Sequence, residues 1–145
     1  GAVGAPAWWD EPAGGRRGGV GVWPPRHNSF YPLRIRPGGR TVALSEYGGI
    51  AWPMPGHEPP RKTYGYGTAK DKADLTKRYK MLQWKTILPQ LGRGLSALVY
   101  TQLTDVEDEV NGLFTYDRAA LKPEAAAVRS CNAALAAEFA KVTAK

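Results

Sequence analysis

The sequence predicts an α/β fold, specifically the C-terminal portion of a (β/α)8 barrel, about its last two to three β/α units. Two stretches carry this expectation. TVALSEYGGIAW (Thr41 to Trp52) and ALVYTQLTDVEDEVNGLFTYDR (Ala97 to Arg118) each begin as a short apolar strand and break into a polar loop bearing carboxylates. One amphipathic helical segment lies between them. In such barrels the chemistry sits at the carboxyl ends of the strands, so Glu46 is expected at a strand tip facing a cleft. At 145 residues the chain is one domain's worth. A complete barrel needs roughly 250 residues, and the first residue is Gly rather than Met, so a fragment is expected.

The elements follow in order. Residues 1–26 contain seven Gly, four Pro and three Trp with no periodicity, and are expected to be an irregular or disordered lead-in. Residues 27–145 are expected to form the partial barrel domain. FYPLRI (Phe30 to Ile35) is strand-like and ends at the turn signal Pro37-Gly38-Gly39. Thr41 to Leu44 is a near-continuous apolar run suited to a parallel strand buried on both faces. Residues 50–68 are rich in Pro and Gly and read as a long irregular loop, a length that is uncommon unless it serves a site.

Asp71 to Leu88 reads as a helix, with Leu75, Tyr79 and Leu82 on one line and Met81, Trp84, Leu88 and Leu91 drifting to another side. Pro89 disfavours helical geometry at Leu88, and Gly92-Arg93-Gly94 supplies the stop. Leu95 to Tyr100 is the next strand. Asn111-Gly112 is a tight-turn signal, followed by Leu113 to Tyr116 as a short strand. Pro123 and Glu124 open the last helix. Val128, Cys131, Leu135, Phe139 and Val142 form its packing face.

Composition narrows the function classes. The net charge of +7 permits an anionic partner without demanding one, because the basic residues are scattered. A Gly/Arg/Trp arm in residues 1–26 could stack on single-stranded nucleic acid, but three arginines are few for that, and nucleic acid is not the expected partner. Cys131 is alone, so no disulfide forms within the chain. His27 and His57 have no further ligands at metal-binding spacing; neither metal nor cofactor is expected. No phosphate-binding Gly loop is present, and Ser45 is not set between glycines as a nucleophile elbow requires. No signal-peptide pattern or membrane-length apolar run occurs, which favours a cytoplasmic location.

LSEYGG, the loop Tyr64-Gly65-Tyr66-Gly67, and the string from Val99 to Arg118 together resemble the C-terminal end of the catalytic domain of family 2 glycoside hydrolases. That family includes β-galactosidases, β-glucuronidases and β-mannosidases. The resemblance spans residues 28–123, and the second string is its most specific part. It implies that Glu46 is the nucleophile of a retaining β-glycosidase. It further implies that Tyr47, Trp52, Tyr100, Gln102 and Asp105 lie near a carbohydrate substrate, a β-glycoside. Glu107 and Glu109 belong to the same loop, whose acids either meet sugar hydroxyls or hold the loop.

Retaining hydrolysis needs a second carboxyl group as acid/base, about 5–5.5 Å from the nucleophile. In the resembled family it follows an Asn, and no Asn-Glu occurs in this chain. Only Asp10 and Glu11 precede Glu46. The chain is therefore expected to be inactive alone and to require the missing N-terminal part, or else to self-associate. Two other readings remain: a non-catalytic carbohydrate-binding or scaffold module, and nucleic-acid binding through residues 1–26.

Overall fold

The computed structural model describes residues 41–57 and 67–144. Within them the order is β1 (Val42–Gly48), α1 (Lys72–Met81), a π-helical turn (Leu82–Ile87), α2 (Leu88–Leu91), β2 (Leu95–Thr101) and α3 (Ala125–Thr143). The two strands pair in parallel, the helical segment crossing between them. This is one β-α-β unit followed by a helix.

The barrel expectation is corrected by this architecture. Among the described residues the sheet has two strands, too few to curl and close into a barrel, and no further β/α unit extends it. Leu113 to Tyr116 is not a strand either; Phe114 makes only isolated bridges, to Thr104 and to Leu121. The expected lead-in 1–26, the FYPLRI run, the Tyr64 to Gly67 loop up to Tyr66, and the nucleic-acid arm lie outside the described residues.

The core forms on one face of the strand pair, not on both as the apolar run Thr41 to Leu44 suggests: Ala43 is exposed, because no described element covers that face of β1. Val42, Leu44 and Tyr47 of β1 and Leu95 of β2 pack with Leu82, Ile87 and Leu91. Leu135 and Val142 of α3 close over that cluster. Cys131 is buried, while Phe139 stays exposed. A smaller cluster of Ile50, Trp52, Ala69 and Leu75 sits under the loop after β1.

Local chemistry explains the helices. Asp71 caps α1, its carboxylate accepting the Asp74 N–H. The Thr76 hydroxyl donates to Lys72 O at 2.7 Å and accepts Glu124 N at 3.0 Å, tying α1 to the entry of α3. Pro89 does not end the helical run. The wider π turn just before it changes the backbone pairing, so the missing N–H and the bulky ring are accommodated and the helix runs on to Leu91.

The tight turn lies elsewhere than the Asn-Gly signal suggests. Val106 and Glu109 exchange two backbone hydrogen bonds, 3.1 and 2.9 Å, around Glu107 and Asp108. Glu107 has φ +52°, a conformation that glycine adopts at no steric cost. Glu107→Gly should therefore stabilise the fold by roughly 0.5–1 kcal/mol, read as an upward shift in the urea midpoint at unchanged m.

Candidate functional site

The carboxyl ends of β1 and β2 meet through an irregular register. Leu44 faces Leu98 and Tyr47 faces Tyr100, so Ser45 and Glu46 together oppose the single residue Val99. The extra residue is a bulge on β1. Strict alternation would send Leu44 and Glu46 to one face and Ser45 and Tyr47 to the other. The bulge resets the count: Leu44 and Tyr47 are both buried, while Ser45 and Glu46 are both exposed. Glu46 is thereby turned onto the open face. It makes no hydrogen bond or ion pair with any described residue.

The aromatics near it do structural work. Tyr47 is buried, its hydroxyl and the Gln83 side chain exchanging hydrogen bonds at 3.2–3.3 Å. Tyr100 makes edge-type ring contacts with Tyr47 and Tyr79, with ring centroids 5.3 and 5.4 Å away. Burial pushes all three phenols up from their ordinary range, Tyr79 to about 12. At neutral pH they are uncharged packing groups. Trp52 is also buried, in the cluster with Ile50, Ala69 and Leu75, and its backbone N–H donates to Val110 O at 2.8 Å. Tyr47 and Trp52 thus hold the loops in place and offer no open ring face.

Beyond β2 the loop is organised by two polar networks. Asp105 and Lys122 form an ion pair of 2.7 Å, with side chains 2 and 0 % exposed. Lys122 Nζ also donates to Val110 O, and Asp105 accepts the Gly112 N–H at 2.8 Å. Burial pushes the Asp105 carboxyl up and the Lys122 ammonium down, and each is drawn back by its partner. Asp105 is sealed inside the loop that it holds together.

The second network is half-buried. Gln102 Nε2 donates to Glu109 Oε2 at 2.9 Å and to Asn111 Oδ1 at 2.7 Å, and Asn111 Nδ2 reaches Glu109 Oε2 at 3.4 Å. Both amide protons of Gln102 are thus engaged, which fixes its orientation and leaves its Oε1 and Glu109 Oε1 to solvent. Glu109 was legible as an acid of this loop. The part of Asn111 was not, since Asn-Gly reads first as a turn.

A third contact links the two loops. His57 Nδ1 lies 2.7 Å from Asp117 Oδ2. Asp117 also accepts from the Thr115 hydroxyl at 2.6 Å and from Ala119 N at 3.0 Å. The Thr115 hydroxyl first, then the Ala119 N–H and His57, hold the Asp117 carboxyl well below the usual carboxylate range. Its folded value is depressed, so its contribution is present above the unfolded value and is lost as pH falls through the folded one. Thr115→Val should move the Asp117 titration upward, so that its contribution shrinks and the loss is complete at a higher pH; carboxyl NMR reads the shift directly. The only sequence signal for this tie was a Thr two residues before an Asp, the spacing of a local side-chain turn.

Of the expected site residues, Glu46, Tyr47, Tyr100 and Gln102 are brought to one end of the strand pair, and Trp52 and Asp105 support the loops behind them. Among the described residues no group of three or more His, Cys, Asp or Glu could hold a metal ion, and no helix is long and apolar enough to cross a membrane. In comparisons with known proteins, no family model and no curated sequence matches the chain.

Proposed function

We propose that this chain supplies the nucleophile of a retaining β-glycosidase site, with Glu46 in that role, and that it does not hydrolyse ordinary glycosides by itself. The observation that carries the reading is the β1 bulge, which leaves the Glu46 carboxylate accessible and uncommitted beside the end of β2. Bulges next to active sites re-aim side chains in this way. The Glu46 carboxylate attacks the anomeric carbon, an ester bond forms, and the glycosidic C–O bond breaks with its electron pair on the leaving oxygen. An unactivated leaving oxygen must take a proton, and a partner polypeptide has to bring the acid that gives it.

A dinitrophenyl β-glycoside removes that requirement because its phenolate leaves unprotonated. The chain should release about one equivalent of phenolate in a burst and then stall, since no base activates water. Azide, which needs no base, should restart turnover and give the β-glycosyl azide. Glu46→Gln should slow the burst more than about a thousandfold. A burst unchanged in Glu46→Gln overturns the assignment.

A second reading, a non-catalytic carbohydrate-binding module, draws on the fixed acceptors Gln102 Oε1 and Glu109 Oε1, which suit the hydroxyls of a sugar. Calorimetric binding of a sugar that survives Glu46→Gln but not Gln102→Ala would favour it.

A further inference from the structure

Two charged surfaces of opposite sign remain unmatched within one copy of the chain. The first is a groove of about 600 Å³ along α1, lined by Lys72, Ala73, Thr76, Lys77, Lys80 and Met81 and closed at one end by Glu124. Lys72 is paired with Glu124 at 3.2 Å. Lys77 and Lys80 have no ion pair or hydrogen bond with any described residue outside their own helix. Met81 and, one turn on, Trp84 are each 40 % exposed, so the lysines flank an open apolar strip.

The second surface is the Val106–Glu109 turn. Its tip carries Glu107 and Asp108, both exposed and neither paired with a described residue. Val106 beside them is 46 % exposed and Leu103 is 67 % exposed, the most open large apolar side chain among the described residues. The two cross-turn hydrogen bonds make the tip narrow and set its shape before any contact is made.

From this pairing of charge and apolar area we infer that the Val106–Glu109 turn of one copy docks in the lysine groove of a second copy. Glu107 and Asp108 meet Lys77 and Lys80, while Val106 and Leu103 cover Met81 and Trp84. The surfaces are different patches, so the contact is heterologous: association proceeds head to tail, into a ring where the rotation closes and an open filament where it does not. Exposed ion pairs are screened by salt, so association weakens as ionic strength rises. The proposal is independent of the glycosidase reading.

The arrangement has a decisive test in sedimentation velocity of the full chain at low and high salt. Wild type should form concentration-dependent oligomers that become about tenfold weaker at high salt. Glu107→Lys/Asp108→Lys loses the turn, Lys77→Glu/Lys80→Glu loses the groove, and each alone should be monomeric with unchanged circular dichroism. Mixed, they present opposite charges at both contacts, the reversed turn against the reversed groove as well as the native turn against the native groove, and they should associate again as alternating oligomers of the two variants. A monomeric wild type, oligomers untouched by either double variant, loss in only one of them, or a mixture that stays monomeric would each overturn the docking. Retention in the turn variant alone would mean that the groove takes a different segment.

Discussion

Gly48→Ala should destabilise the protein by about 3–5 kcal/mol, summing the backbone strain of a non-glycine residue with that of overpacking. Gly48 has φ +104°, and a Cβ there would stand 2.5 Å from the Tyr100 ring. The ring cannot retreat easily, because the rings of Tyr47 and Tyr79 pack against it. The substitution would therefore separate the ends of β1 and β2 at the register pair Gly48 and Thr101. The companion change Tyr100→Ala removes the clash, so the double variant should cost clearly less than the sum of the single ones. Urea melts of the four proteins measure both effects.

Asp105→Ala should cost a further large amount, about 3–5 kcal/mol, because it strands a buried ammonium. Lys122 is fully buried and would keep only the Val110 carbonyl as its partner, while the Gly112 N–H would lose its acceptor. Lys122→Met should be milder. Burial already pushes the Asp105 carboxyl up, so it can take a proton and still accept from Gly112. Pairing the two changes should reveal a coupling of about 2–3 kcal/mol in a double-mutant cycle. Gly112 itself has no room for a side chain: a Cβ would overlap the Asp105 N and the Thr104 carbonyl carbon.

The parts of the fold that were legible in the sequence are those set by apolar periodicity. Val42 and Leu44, Leu75, Tyr79 and Leu82, and Cys131 with Leu135 and Val142 all pack as their spacing suggests. Three features were not legible, each for a local reason. The π turn before Pro89 has no composition of its own. The Asn111-Gly112 turn signal is overridden because Asp105 draws in the Gly112 N–H and the chain turns at Glu107 and Asp108 instead. The barrel was inferred from a strand-helix-strand order that one β-α-β unit satisfies equally well.

The site divides along the same line. The expectation for Glu46 rested on motif resemblance, and its exposure depends on a bulge that no single residue announces. A plain alternation count would have buried it. Asp105 carries a carboxylate in a matching string, yet its partner Lys122 lies seventeen residues on, a separation that sequence pattern does not reveal. Tyr47 and Trp52 follow Glu46 closely, but the same bulge and the loop cluster turn them inward.

The central claim is that the bulge presents one particular carboxylate to a sugar. Incubation with an activated 2-fluoro β-glycoside, whose glycosyl ester hydrolyses slowly, followed by proteolysis and mass spectrometry, tests it most directly. A single adduct on the peptide containing Glu46, absent from Glu46→Gln, is the result this account predicts. An unlabelled chain, or an adduct on Glu107, Glu109 or Asp117 instead, would contradict it.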